Sequence, residues 1–173
     1  LWRTDGTEGG TWRVKDIYPG PSSSNPSELT AFNQRLYFAA NDGSGGGELW
    51  TSDGTEGGTV RVKDIAPGAA SSSPAELTLI GSNLFFRATD NASLGNELWK
   101  TDGTPTGTVL VKDISPGSNH STPQFLTPVG NALFFSAVDG THGRELWKSD
   151  GTSNGTVLVK DIRAGSDSVP EFL

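Results

Sequence analysis

Aspartates at the start of polar loops are the residues of this chain whose type and spacing are suited to binding a metal ion or a small molecule. Asp42, Asp90 and Asp139 open the loops "DGSGGG", "DNASLG" and "DGTHG". Calcium takes about six to eight oxygen ligands, so these three carboxylates are candidates for calcium binding. Loops on a rigid scaffold also carry ligand contacts, which makes Asp90, Asp139 and the nearby His142 candidates for binding a small molecule.

A second set of aspartates lies in the recurring string "(T/S)DGTxxGT", and these are Asp5, Asp53, Asp102 and Asp150. Calcium binding is one interpretation of this string. The other is a turn, in which Asp caps the backbone and Gly supplies a positive φ. One carboxylate per loop is too few for calcium, and the spacing is not that of a helix–loop–helix site. We therefore predict structural turns, with no metal ion and no cofactor.

Tryptophan recurs once in each copy of a longer string, at Trp2, Trp50, Trp99 and Trp147. An aromatic residue in every copy could form a sugar platform. Packing against a neighbouring unit, with the indole N–H bonded nearby, is the interpretation that we favour. Trp12 differs because the equivalent residues are Val60, Val109 and Val157. We expect Trp12 to be exposed and consider it a candidate for ligand binding.

Three tripeptides match the acceptor pattern for N-glycosylation, and their asparagines are Asn91, Asn119 and Asn154. All three lie in segments that we predict to be loops. The two histidines, His120 and His142, are far apart in sequence. They form no metal-ligand spacing and no Ser/His/Asp arrangement, so no catalytic residue is predicted.

Composition narrows the class of protein. The chain has 33% hydrophobic residues, 23 Gly and 10 Pro, which is typical of many short strands joined by turns. Its net charge is −7, so a nucleic-acid partner is not expected. No apolar run approaches the roughly 20 residues of a membrane span. Cys is absent, which excludes disulfides and thiolate metal sites.

These residues belong to a repeat. "ELWKTDGTPTGTVLVKDI" at 97–114 has near copies at 48–65 and 145–162, and a copy without its Glu at 1–17. The spacing of 48 or 49 residues falls in the range of propeller blades, roughly 40–50 residues. Each unit contains four short apolar segments separated by turn residues. The sequence therefore predicts an all-β protein of four-stranded antiparallel blades, a β-propeller or propeller-like array.

The predicted array holds about three and a half blades. We expect half a blade at 1–17, whole blades at 18–65, 66–114 and 115–162, and the start of another at 163–173. Since the chain begins and ends within a unit, we expect it to act inside a larger assembly, either a longer propeller or a repeating fibre. Its partners would be further copies of itself or the remainder of a longer parent chain.

The third and fourth strands of a unit are predicted to form a hairpin, and charged residues could determine its register. Pairing Glu97 with Lys112 places Trp99 opposite Leu110. Sliding the strands by one residue would bring Glu97 beside Asp113, which like-charge repulsion disfavours. We therefore predict an exposed cross-strand ion pair in each unit, and the equivalents are Glu48 with Lys63 and Glu145 with Lys160.

Residues 48–55, 97–104 and 145–152 resemble the bacterial repeats named for their Glu-Leu-Trp-x-x-Asp-Gly-Thr signature. The flanking "GT(V/W)xVKDI" matches as well, and the resemblance covers essentially the whole chain. It implies large secreted or surface proteins with a propeller-like fold, and no established catalytic residue.

We therefore expect a non-enzymatic, extracellular or cell-surface module with a structural or adhesive role. The alternative is a multivalent, lectin-like binder of glycans with one shallow site per blade, and a propeller enzyme comes third. The loops that join the blades vary in length and sequence, which favours the scaffold over a repeated binding site.

Overall fold

The computed structural model describes residues 1–168 and 170 of the chain. This part consists of fourteen β-strands joined by turns and loops, without a helix, and so without any helix that could cross a membrane. The strands are β1 (Trp2–Arg3), β2 (Trp12–Arg13), β3 (Ser27–Phe32), β4 (Arg35–Asn41), β5 (Gly47–Ser52), β6 (Val60–Arg61), β7 (Ala75–Ile80), β8 (Asn83–Ala88), β9 (Glu97–Thr101), β10 (Val109–Lys112), β11 (Gln124–Val129), β12 (Ala132–Val138), β13 (Arg144–Ser149) and β14 (Val157–Lys160).

Each strand pairs antiparallel with the next strand of its own sheet. The first sheet is β1–β2, and three four-stranded sheets follow it: β3–β6, β7–β10 and β11–β14. The predicted all-β class with four-stranded antiparallel units is confirmed. The described strands form separate open sheets and no closed ring. Residues 169 and 171–173, in the predicted start of another unit, lie outside the described residues.

Apolar side chains fill the spaces between successive sheets. Phe86 of β8 packs in a cluster with Leu49 of the preceding sheet, whereas Phe85 packs in a cluster with Phe135 of the following sheet. Adjacent residues of one strand are therefore both buried, because each face of the sheet meets a neighbouring sheet. This explains why the second strands are apolar at successive positions.

Three of the four recurrent tryptophans belong to these clusters. Trp50, Trp99 and Trp147 are only 6%, 7% and 6% exposed, which confirms core packing for these three. Within the described part of the chain, their indole N–H groups have no hydrogen-bond acceptor, contrary to our expectation. The prediction is wrong for Trp2, which is 65% exposed, because the described strands include no sheet that packs against this face of β1. Trp12 is 44% exposed, as predicted, and the guanidinium of Arg3 lies 4.5 Å from the centroid of its ring.

The hairpin register agrees with the prediction at one position and departs from it at the next. Trp99 lies opposite Leu110, as predicted. Lys112, however, lies opposite Leu98, because Val111 is an extra residue in β10 that has no partner in β9. Such a bulge slides the remaining pairs by one residue. The same shift places Lys160 opposite Leu146 in the last sheet.

The predicted ion pairs of Glu48 with Lys63, Glu97 with Lys112 and Glu145 with Lys160 are therefore wrong. All three glutamates are completely buried rather than exposed. Their carboxylates accept hydrogen bonds from the backbone that leaves each sheet, and Lys63 and Lys112 reach the next unit instead.

Candidate functional site

The carboxylate of Glu97 binds both ends of the linker to the next sheet. At the near end, Ile114 donates its backbone N–H to Oε2 at 2.8 Å. At the far end, Ser121 donates its N–H to Oε1 at 2.9 Å and its hydroxyl to Oε2 at 2.6 Å. Glu97 thus closes the linker into a loop against β9. We call this arrangement the glutamate clasp.

The clasp recurs in the neighbouring units. Oε2 of Glu48 accepts from the N–H of Ile65 at 3.0 Å and from the hydroxyl of Ser72 at 2.7 Å. Glu145 binds Ile162 N–H at 3.0 Å and the Ser168 hydroxyl at 2.6 Å in the same way. In each of these three units, one glutamate carboxylate therefore fixes the point at which the chain leaves the sheet.

These carboxylates are satisfied by hydrogen bonds and not by a cation. Burial raises the pKa of Glu48 and Glu97, while the Ser72 and Ser121 hydroxyls and the backbone N–H groups oppose this shift. In residues 1–168, neither side chain forms an ion pair. A buried charge that lacks such donors would be strongly destabilising, so the clasp is a structural joint.

The lysines of the repeat form a second joint. Lys63 donates from Nζ to the carbonyl of Thr108 at 2.7 Å, in the Asp-Gly-Thr turn of the next unit. Lys15 reaches the Thr59 carbonyl at 2.8 Å, and Lys112 reaches that of Thr156 at 2.8 Å. Glu and Lys, which sequence reasoning paired with each other, are thus used separately. Glu anchors the linker, and Lys anchors the neighbouring unit.

The Asp-Gly-Thr turns are held by side-chain hydrogen bonds, as the turn interpretation predicts. Oδ1 of Asp102 accepts from the N–H of Thr104 at 2.8 Å and from its hydroxyl at 2.7 Å. The Thr104 hydroxyl in turn accepts the N–H of Gly107 at 2.9 Å. Both hydrogen bonds from Thr104 lower the pKa of Asp102, the one from the hydroxyl more than the one from the N–H. The equivalent carboxylates bind in the same way, and these are Asp5, Asp53 and Asp150.

The last glycine of each turn is required by close approach, a role that sequence reasoning missed. A Cβ on Gly58 would lie 2.0 Å from Oδ1 of Asp53, and one on Gly107 would lie 2.1 Å from Oδ1 of Asp102. The signal was present in the sequence, because "GT" closes every copy of the turn.

The loops with Asp42, Asp90 and Asp139 lie against the linkers, on the shared face that propeller topology predicts. Gly47 donates its N–H to the Ser71 hydroxyl at 2.8 Å, and Arg144 donates its N–H to Oδ1 of Asp167 at 2.7 Å. These contacts place the loops between the second and third strands beside the linkers that join the sheets.

The three aspartates cap their own loops. Oδ1 of Asp90 accepts N–H groups from Ala92, Ser93 and Leu94 at 3.0, 3.0 and 2.7 Å. Asp42 binds Ser44 and Gly45 similarly, and Asp139 binds Thr141 and His142. Each aspartate belongs to a different sheet. Across residues 1–168 and 170, no three His, Asp or Glu side chains come close enough together to hold a metal ion.

Asp139 and His142 form a hydrogen bond in the last of these loops, with Nδ1 of His142 2.6 Å from Oδ2 of Asp139, and the contact is an ion pair when His142 is protonated. Burial alone would raise the pKa of Asp139, but hydrogen bonds from His142 and Thr141 outweigh it and lower the pKa to about 2. The hydrogen bond to Asp139 and its charge raise the pKa of His142. His120, in contrast, accepts the N–H of Asn96 at Nδ1, at 2.9 Å.

The three glycosylation candidates lie in loops. Asn119 donates from Nδ2 to the Pro116 carbonyl at 3.0 Å, and Asn91 donates from Nδ2 to the Ser71 carbonyl. Asn154 lies exposed in an Asp-Gly-Thr turn. The sequon hydroxyls of Asn119 and Asn154 belong to completely buried side chains, which are Ser121 and Thr156.

Comparison with known proteins adds evidence on the fold. A chain from a structural and mechanistic study of two prolyl endopeptidases aligns with a TM-score of 0.50 at 16% identity. The alignment covers 76% of this chain and 19% of that chain. At this identity the likeness shows the fold alone. Neither a protein-family model nor a curated protein matches the sequence.

Replacing a clasp glutamate by its amide should destabilise the protein. Glu97→Gln turns one carboxylate oxygen into an NH₂ group that faces backbone N–H donors, leaving a buried donor unsatisfied. We expect a loss of about 1–3 kcal/mol in the free energy of unfolding, measured by urea denaturation. Glu56→Gln, at an exposed turn position, is the control and should change little. Equal stabilities of the two variants would contradict the clasp.

Adjacent glycines of one turn should respond differently to alanine. Gly58→Ala places a methyl group against the Asp53 carboxylate and should cost about 1–3 kcal/mol, since the turn must open. Gly57 has no atom within 4 Å of an added Cβ. Gly57→Ala should therefore change stability by less than about 0.5 kcal/mol. Thermal unfolding of the two variants provides the measurement, and similar melting temperatures would rule out the close-approach explanation.

The Asp139–His142 pair should be visible in an NMR titration. The stabilisation from His142 is complete below its ordinary pKa of 6.5 and is lost as pH rises through the raised pKa. That from Asp139 is complete above 3.8 and is lost as pH falls toward about 2. Asp139→Asn should bring the His142 pKa back toward 6.5. An unchanged His142 titration would exclude the pair.

Proposed function

We propose that this chain is a non-enzymatic repeat module with a structural or adhesive role, built as a propeller or propeller-like array. The observation that carries the proposal is the use of the recurrent polar residues as joints. Each glutamate clasp binds a linker, and Lys15, Lys63 and Lys112 each join one unit to the turn of the next. The recurrent glutamates and lysines of the repeat therefore serve mainly to connect one unit to the next.

Exposure of the outer sheets supports a role within a larger assembly. Ile65 and Ile114 are each 4% exposed between sheets, whereas the equivalent Ile162 is 57% exposed. Trp2 is 65% exposed, although its equivalents in the later units are buried. Large apolar side chains of this kind mark surfaces that pack against something else. A further unit, from a longer chain or from another copy, would fit both surfaces.

The location at the cell exterior and the adhesive role are parts of the proposal that rest on the Glu-Leu-Trp-x-x-Asp-Gly-Thr resemblance. The propeller geometry is supported by the meander order of each sheet and by the apolar packing of sheet against sheet. The likeness to the prolyl endopeptidase chain supports the fold and carries no activity to this chain.

A lectin-like binder is the alternative, and the exposed Trp12 beneath Arg3 is the observation that favours it. Such a ring can stack on a sugar, but Trp12 is replaced by valine in the other units. A glycan array probed with and without calcium distinguishes the two functions. Selective binding of particular glycans would favour the lectin, and no binding on the array would favour the scaffold.

Self-association tests the proposed assembly. Lys160 is exposed, whereas its equivalents Lys15, Lys63 and Lys112 each bind a threonine carbonyl of the next unit. If copies stack through the same interface, Lys160 should bind the Thr11 carbonyl of the next copy.

Sedimentation velocity of the intact chain should then show association that rises with concentration. Lys160→Ala should weaken it, and Lys148→Ala, at another exposed lysine, should not. A folded monomer at every concentration would overturn self-assembly.

A further inference from the structure

Two neighbouring positions of the repeat change together from one four-stranded sheet to the next. The first position lies three residues before the clasp glutamate, in the loop between the second and third strands, and is held by Gly45, Leu94 and His142. The second position is the second residue of the fourth strand, and is held by Arg61, Leu110 and Leu158. The three sheets therefore combine a glycine with an arginine, a leucine with a leucine, and a histidine with a leucine.

In the second sheet the arginine fills the space that the glycine leaves open. A Cβ on Gly45 would overlap Nη1 of Arg61, so the guanidinium lies directly against the loop. The same Nη1 is 3.5 Å from Oδ1 of Asp64, which follows the fourth strand. The charge of Arg61 also reaches Asp42, at the start of the loop. One permanent cation therefore lies between an aspartate of the loop and an aspartate after the hairpin.

In the last sheet the loop itself supplies the cation. Nδ1 of His142 lies 2.6 Å from Oδ2 of Asp139, at the start of the loop. Asp161, which follows the fourth strand, has a buried Oδ1 without a hydrogen-bond partner among the described residues. Leu158 replaces the arginine and supplies no charge. Within residues 1–168, no Lys or Arg side chain lies within 4.0 Å of either aspartate.

Acidic groups from the loop, the third strand and the linker surround His142. They are Asp139 of the loop, Glu145 of β13, and Asp161 and Asp167 of the linker. The hydrogen bond to Asp139 and its charge, followed by the charges of Asp161 and Glu145, raise the pKa of His142 against the effect of burial. Arg144 is the cation beside the loop, and its guanidinium donates to the Thr122 carbonyl and the Ser136 hydroxyl instead.

We propose that His142 is a pH-operated substitute for Arg61, which joins the loop to the end of the hairpin in the last sheet. Protonated His142 holds the loop at Asp139 close to Asp161, and neutral His142 leaves the two carboxylates without a cation between them. Because Arg144 donates its N–H to Asp167 at 2.7 Å, the same loop is attached to the linker. Loss of the proton therefore loosens the point at which the chain leaves the sheet. This device acts within one unit and goes beyond the proposed scaffold role.

The direction of the pH dependence follows from the raised pKa of His142. The stabilisation of the loop is complete below 6.5, the ordinary pKa of histidine, and is lost as pH rises through the raised pKa. Arg61 stays charged over this range, because a guanidinium in a protein keeps its proton. The loop of the second sheet should therefore not respond to the same change in pH.

The test is amide hydrogen exchange of the intact chain, measured by NMR and corrected for the intrinsic exchange rate at each pH. Thr141 and Arg144 report on the last sheet, and Ser44 and Gly47 report on the same positions of the second sheet. We expect the protection of Thr141 and Arg144 to fall by about 1.5- to fivefold as pH rises from below 6.5 to above the raised pKa, as for a lost exposed ion pair. The protection of Ser44 and Gly47 should stay constant.

Two variants give the last sheet the residues of the other sheets. His142→Gly combined with Leu158→Arg reproduces the second sheet, and His142→Leu reproduces the third. Both should abolish the pH dependence, because neither retains a side chain that titrates in this range. Asp161→Asn should lower the pKa of His142, followed by its ring resonances, whereas the matched control Asp113→Asn in the third sheet should leave it unchanged.

A fall in protection that is confined to the last sheet and abolished by His142→Leu would support the pH-operated joint. Any of four results would overturn it: constant protection of Thr141 and Arg144, an equal fall at Ser44 and Gly47, a fall that persists in His142→Leu, or a pKa of His142 that Asp161→Asn does not change. The first two results need no variant, so they stand even if a substitution prevents folding.

Discussion

A carboxylate with no exposed surface is the constraint on which each unit depends. Glu97 has to receive hydrogen bonds from donors held in fixed positions, because an unsatisfied buried charge would cost far more than the fold can offset. Those donors lie at the two ends of the linker, in Ile114 and Ser121. Meeting this requirement sets where the chain leaves one sheet and where it approaches the next.

The bulge at Val111 follows from the same requirement. The bulge shifts the end of β10 by one residue relative to β9. As a result, the N–H of Ile114 faces the Glu97 carboxylate, and Lys112 lies opposite Leu98 instead of Glu97. Lys112 is then free to reach Thr156 in the following unit. One buried acid therefore sets the local register and frees the lysine that joins the units.

The units built on these joints are nearly identical, so they differ from one another only at positions where the repeat sequence changes. Trp12 replaces a valine, Arg87 replaces an alanine or serine, and His142 pairs with Asp139 in one loop only. Each of these residues leaves the clasps intact, because none of them contacts a clasp glutamate.

The repeat period, the strand segments, the Asp-Gly-Thr turns and the burial of Trp50, Trp99 and Trp147 could all be predicted from the sequence. Each is encoded locally, in a spacing of 48 or 49 residues, in turn chemistry or in adjacent apolar residues. The pairing of Trp99 with Leu110 was predicted for the same reason, because it depends only on the hairpin.

The interaction partners of the recurrent glutamates and lysines were determined by the tertiary structure. Opposite charges at matching positions of a hairpin favour an ion pair only if both lie at the surface, and burial of Glu97 comes from the linker folding over it. Its Ser121 partner lies 24 residues away, and the Thr156 partner of Lys112 lies 44 residues away.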